Sequence, residues 1–453
     1  MRRERDLLGE VFLPEEALYG AQTQRARENF GTDAPPTNLL LIYAIVKVKK
    51  AAALTYLKLL PESQELFQAI VHACDMVLSG AYDSQFPVPA LQGGAGTSTN
   101  MNVNEVLSNL AIISLGGRPG DYHLVSPLDD VNRGQSTNDV YPTALRIAAV
   151  ELLRVLADEA ASLQESLQEK ENAFAEVRKL GRTELMDAVP ITLGEEFGAF
   201  AQAVARDRWR LYKMEERLRQ VNIGGAAVGL STLGERKYRF GVIERLRELT
   251  GLGLSSSEYP MDITQNNDVF VEVSGLLKSM AVNLIKIGND LRLMNSGPHG
   301  GLGEIRLSPM QMGSTIMPGK VNPVIPEYVA LCSMKVVAND LAITFAASRG
   351  ELELNAFMPL IAEALLESLE ILGKATRTMR KKCVETLEAA PESCLEHLNK
   401  SFAFAASYVK TLGYLRVAEI IKDNPHDPKM AADLMEKESK ALSRGPSEGD
   451  EKK

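Results

Sequence analysis

Cysteine is scarce in this chain: Cys74, Cys332, Cys383 and Cys394 are scattered over 453 residues, and no two form a CxxC pair. That spacing argues against a zinc site or a disulfide framework and suits a reducing compartment. Positive charge is not concentrated either. The formal net charge is −9, and beyond the short "MRRER" start no lysine/arginine block stands out. A nucleic-acid surface is therefore not expected, whereas a small anion held by a local cation is compatible with the charge balance. The start lacks an apolar signal core, and no uninterrupted apolar run reads as long enough to span a bilayer. With 45% hydrophobic and 24% charged residues, the composition is that expected of a soluble, cytoplasmic globular protein. Strand-like alternation is rare as well, and no fixed-period repeat supports a solenoid.

Helical periodicity is abundant. It predicts long helices over 141–177, 192–221, 267–294, 324–346 and 354–387, each roughly 25–35 residues, or about 35–50 Å at 1.5 Å per residue. Rods of that length are unusual in a small domain. In "VSGLLKSMAVNLIKIGNDL" (273–291) apolar residues surround most of the circumference. A helix apolar on most sides must be buried on most sides. Such rods cannot all bury themselves in one thin bundle, so burial against copies of the same chain is expected. The predicted architecture is all-α, with an N-terminal helical domain (1–134), a central long-helix bundle (135–391) and a small C-terminal helical domain with a frayed tail (392–453).

Several helix entrances carry small polar side chains. In "GSTIMPGKVNP" (313–323), Asn322 reads as an N-cap and Pro323 as the first helical residue. Ser314, Thr315 and Lys320 precede that helix, where free N–H groups and the helix dipole favour an anion. "GGAGTSTNMNVNE" (93–105) opens another helix around Thr97. No strand precedes it and no GK[ST] follows, so P-loop and Rossmann readings gain no support. "DDVNRGQSTNDVYPT" (129–143) puts Ser136, Thr137 and Asn138 at a helix mouth, and "GRTELMDAVPITLGEEF" (181–197) places Thr183 and Glu184 just before a fourth. Taken singly, the 313–323 loop reads equally well as an ordinary capping loop, and each of the other three is more often a cap than a site. Together, convergent donors and a lysine without a metal or nucleotide motif suit a small carboxylate substrate.

These four segments, with "YGAQTQRARENF" (19–30), resemble the aspartase/fumarase superfamily, and within it the branch of aspartate ammonia-lyases and class II fumarases. The resemblance implies an all-α homotetramer whose central domains pool their helices, with each active site drawn from three subunits. It implies cleavage of a C–N or C–O bond in a succinyl compound to give fumarate, without a metal or an organic cofactor. Ser314 would be the base that takes the carbon proton. Lys320 and Asn322 would hold the carboxylate whose charge grows, and Thr97, Ser136, Thr137, Asn138 and Thr183 would complete the substrate grip. A serine hydroxyl is a poor base, so its alkoxide needs loop N–H groups and nearby positive charge, which a closing loop supplies while excluding water.

The chain departs from the family pattern at four places. Glu184 stands where histidine or glutamine is usual, Thr315 replaces a second serine, and His299 replaces a common arginine. The segment "NIGGAAVGLSTLGERKYR" (222–239) lacks the usual "GTGLN" continuation. Family geometry implies that Glu184 approaches Glu327, and two carboxylates so placed share a proton or bind a cation. An ammonium-receiving pair favours elimination of ammonia from L-aspartate, and "DDVN" (129–132) resembles the aspartase form of that stretch. The alternatives are a fumarate hydratase, a lyase for another 3-substituted succinate, and a catalytically silent oligomer, since superfamily members serve as lens crystallins.

Overall fold

The computed structural model describes residues 1–230 and 236–443. Residues 231–235 of the 222–239 segment, and the expected frayed tail from 444 onward, lie outside the described residues. The chain is all-α, as its periodicity predicts, and its five longest helices are Thr137–Ala173, Leu193–Leu218, Asp268–Met294, Val324–Ala347 and Met358–Met379. Shorter helices, among them Ala21–Phe30, Leu39–Leu59 and Thr97–Ser114, occupy the first part of the chain.

The first rod begins four residues earlier than predicted, at Thr137, and carries Pro142 inside it. A proline there removes the N–H that would have paired with the Asn138 carbonyl. The Asn222 amide donates to that carbonyl instead, at 2.9 Å, and the helix continues. The last rod begins later than predicted, at Met358. Glu351 and Leu354 form a small antiparallel bridge around Leu352, whose φ is +52°, and Asn355 accepts from the Phe357 N–H at 2.8 Å. A turn closed by its own hydrogen bonds thus precedes the helix.

Four two-stranded sheets accompany the helices among the described residues. The largest, Arg178–Thr183 paired antiparallel with Met186–Thr192, occupies the segment read above as the approach to a helix. Thr183 and Glu184 therefore do not stand at a helix mouth. They sit at a hairpin tip, and the helix starts only at Leu193.

By backbone contacts the chain divides into two compact units. One comprises 1–159, 207–282 and 332–374, the other 160–206, 283–331 and 375–453. In the first, the Leu39–Leu59 helix buries Leu41, Ile42, Ile45, Val46 and Val48 completely or nearly so. In the second, Ala405, Val417, Ile420, Ala431 and Met435 form a small core of their own near the C-terminus.

The Val324–Ala347 helix is long and apolar enough to cross a bilayer by length and composition, although Glu327, Lys335 and Asp340 interrupt its apolar run. Asp340 pairs with Lys278 at 2.5 Å and Lys335 with Glu367 at 3.0 Å, and charges held this way fit the core helix of a bundle. Its apolar residues also extend to an exposed stripe of Tyr328, Leu331, Met334, Leu341 and Phe345. Leu331 is 67% and Phe345 62% exposed, and the stripe's spacings of three, three, seven and four residues keep it on one face.

Candidate functional site

In the first unit, the entrances of two helices meet. Thr97 opens the Thr97–Ser114 helix, and its hydroxyl donates back to the Gly94 carbonyl at 2.7 Å. Gly96, with φ +91°, lies so close to the Tyr141 ring that a Cβ would meet it at 2.4 Å. Only glycine permits that approach. Four residues beyond Gly96, Asn100 donates to the Thr137 hydroxyl at 3.1 Å. Thr137 is buried, whereas Ser136 and Asn138 are half-buried.

Asn138 is oriented by its surroundings. Its Nδ2 donates to the Ala227 carbonyl at 2.8 Å, and a carbonyl accepts only from the nitrogen end of an amide. Its Oδ1 is thereby left as the acceptor. Asp139, fully buried, accepts from the N–H groups of Ser136 at 2.9 Å and of Gly224 and Ala226 at 3.0 Å each. Burial pushes its carboxyl up to about 7, against the pull of those three donors. Beneath this layer the buried Lys49 ammonium donates to Asn132 Oδ1 at 2.8 Å, and desolvation draws it down to about 7.

In the second unit lies the 313–323 loop. Ser314 Oγ accepts the N–H of Met317 at 2.9 Å and that of Ile316 at 3.3 Å. Gly313 N–H donates to the Lys320 carbonyl at 3.1 Å, closing the loop on itself. A Cβ at Gly313 would meet that carbonyl oxygen at 2.4 Å and the Asn322 nitrogen at 2.7 Å. Asn322 does not cap the following helix as predicted. The Pro323 carbonyl accepts the first helical N–H, from Glu327 at 3.3 Å, and the helix starts at Val324. The Asn322 amide reaches back to the Gly313 carbonyl at 2.9 Å, so it binds the two ends of the loop together. Lys320 is exposed, as are Met312, Ile316 and Met317.

Lys320, Asn322 and Glu327 line one cleft of about 510 Å³, together with Arg292 and Arg306. Arg292 Nη2 lies 3.4 Å from Glu327 Oε1. Sequence reasoning missed this arginine, which sits in the last turn of the Asp268–Met294 helix and gives no local signal for a partner 35 positions away.

Thr183 and Glu184 stand apart on the hairpin. Thr183 pairs with Met186, leaving Glu184 and Leu185 as a two-residue turn with φ of +53° and +64°. Hairpin turns of this kind normally employ asparagine and glycine. Holding two side-chain-bearing residues there costs on the order of 1–3 kcal/mol each. The hairpin is anchored from below: the buried Lys179 ammonium lies 2.7 Å from both Glu196 and Glu304, and Arg182 lies 2.8 Å from Glu304. Both Thr183 and Glu184 are exposed, and among the described residues no hydrogen bond or ion pair joins Glu184 to Glu327 within one chain. No group of three or more His, Cys, Asp or Glu side chains among the described residues is arranged to hold a metal ion.

Comparisons with known proteins bear on this arrangement. A model of the lyase family matches residues 9–338. The chain is 43% identical over 425 residues to an aspartate ammonia-lyase of Helicobacter pylori, covering 93% of this chain and 91% of that protein. Among solved structures, it is similar to a fumarate lyase:delta crystallin from Brucella melitensis bound to cobalt, with 43% identity, a TM-score of 0.92 and coverage of 98% and 97% of the two chains. A class II fumarase from Schistosoma mansoni has 32% identity, a TM-score of 0.92 and coverage of 96% and 95%. With a family match over most of its length and relatives of this identity, the chain belongs to the lyase family of the aspartase/fumarase superfamily.

Proposed function

We propose that this lyase eliminates ammonia from L-aspartate to give fumarate, with Ser314 as the base. The Cβ–H bond gives its proton to the Ser314 oxygen and its electron pair to the adjacent carboxylate, forming a doubly negative aci-carboxylate. Collapse of that species forms the C=C bond and expels the Cα amine as ammonia. The observation that carries this reading is the pair of backbone N–H groups donated to Ser314 Oγ. Preorganised donors stabilise an alkoxide without reorganising at the moment of reaction. Lys320, from the same self-closed loop, supplies positive charge for the growing carboxylate, and Asn322 keeps the loop closed.

The leaving group is read by acceptors. Asn138 Oδ1, freed by the Ala227 contact, suits an ammonium donor, and Glu184 adds a carboxylate. Arg292 beside Glu327 offsets one negative charge, so the two glutamates need not share a proton for both to serve a bound cation. Glu184→Gln is expected to raise the aspartate KM and lower kcat/KM by about tenfold or more, the loss of one charged hydrogen bond. Steady-state kinetics check this, and unchanged deamination by the variant sinks the ammonium role.

A cytoplasmic homotetramer with shared active sites accounts for the exposed stripe on the Val324–Ala347 helix. Apolar rows of this width on a long helix are buried by a partner. Leu331→Glu is expected to convert the assembly to smaller species in light scattering after gel filtration, with activity lost in parallel. A wild-type chain that elutes as a monomer contradicts the assembly.

A further inference from the structure

We propose that Asp139 is the positioning residue that decides which end of the Asn138 amide meets substrate. This rests on the reading of Asn138 Oδ1 as an acceptor for the substrate ammonium. Asp139 has no exposed surface, so it cannot touch substrate and acts only through the backbone it binds. Its Oδ1 takes the Ser136 N–H, in the turn that enters the Thr137–Ala173 helix. Its Oδ2 takes the N–H groups of Gly224 and Ala226. One carboxylate therefore ties two chain segments together, about 85 positions apart in sequence.

The consequence appears one residue beyond the clamp. With Gly224 and Ala226 held, the Ala227 carbonyl lies 2.8 Å from Asn138 Nδ2. An acceptor in that place admits only the NH₂ end of the amide and turns Oδ1 away from it. The Asn138 backbone is held by a second contact, because its carbonyl accepts from the Asn222 side chain. Asn222 is in turn held by Thr264 at 2.8 Å and Thr143 at 3.3 Å. The backbone of residue 138 is thus set by Asn222, while the sense of its side chain is set by Asp139 through the 224–227 segment. The clamped segment is not relaxed chain. Ala226 has φ +53°, a left-handed conformation that a residue bearing a side chain keeps only when its surroundings impose it.

Releasing the clamp leaves the Asn138 amide free to turn its NH₂ group outward, where it opposes an ammonium but is indifferent to fumarate, which has none. The experiment compares two constants on the full-length enzyme: the aspartate KM and the fumarate inhibition constant. In Asp139→Ala, the aspartate KM is expected to rise about tenfold or more while the fumarate constant stays within about twofold. Asp139→Asn, whose oxygen can still accept both loop N–H groups, is expected to recover part of the loss. Should Asp139→Ala fail to fold, Gly224→Ala replaces it. There the carboxylate is intact, but the new Cβ would meet Arg239 Cβ at 2.9 Å and displace the segment, and the same split is expected. Equal weakening of aspartate and fumarate, or no change in either, overturns the inference. A wild-type enzyme that forms no fumarate from aspartate fails the proposed function itself, which is a distinguishable result.

Discussion

Ser314→Ala is expected to lower kcat for fumarate formation from aspartate by about 10²–10⁴-fold, the range for losing a positioned general base. The aspartate KM should move little, because the hydroxyl acts on the carbon proton rather than on the carboxylates or the amine. The loop should survive the change. Gly313 N–H still reaches the Lys320 carbonyl and Asn322 still reaches the Gly313 carbonyl, and only the two N–H groups that Ser314 Oγ accepts lose a partner. These lie in an exposed stretch, where water replaces the lost acceptor at small cost. Ser314→Cys offers a sharper form of the test, since a thiolate forms more readily but is held by N–H groups spaced for oxygen. Stopped assays following fumarate absorbance give both constants. A Ser314→Ala variant with more than about a tenth of wild-type kcat removes Ser314 from the role of base.

Lys320→Met is expected to cost about 10²–10³-fold in kcat, the scale of losing one preorganised stabiliser of a developing oxyanion. Here kcat and kcat/KM should fall together, because the second negative charge exists only in the transition state and the intermediate. Lys320→Arg should not restore full rate, as a guanidinium is wider and fixes its donors in a plane. The methionine variant keeps the length of the stem, so packing is retained while the charge is gone. If KM alone rises, the lysine binds ground-state substrate and the account of the intermediate is wrong.

What was legible in the sequence followed from locality. Thr97, Ser136, Thr137 and Asn138 were readable because a helix entrance is encoded within a few residues of its first turn, and the long rods because apolar periodicity repeats over many turns. The hairpin beneath Thr183 and Glu184 was hidden. "RKLGRT" and "MDAVPIT" alternate weakly, and their two-residue turn lacks the glycine or asparagine that would mark it. Asn322 misled for a related reason: an asparagine before a proline reads as a cap, and nothing nearby indicates that its amide serves a carbonyl nine positions back. Asp139 and Arg292 were out of reach altogether. Their partners, Gly224 and Glu327, lie tens of residues away in sequence, and only the fold brings them together. Pro142 shows the converse: local rules place it at a helix end, and a distant asparagine keeps the helix intact.

One measurement addresses the central claim most directly. Ultraviolet absorbance of fumarate is followed in parallel for L-aspartate, L-malate and related 3-substituted succinates with the same purified enzyme. The account predicts rapid fumarate formation from aspartate, with little from malate. Turnover of malate without turnover of aspartate contradicts it.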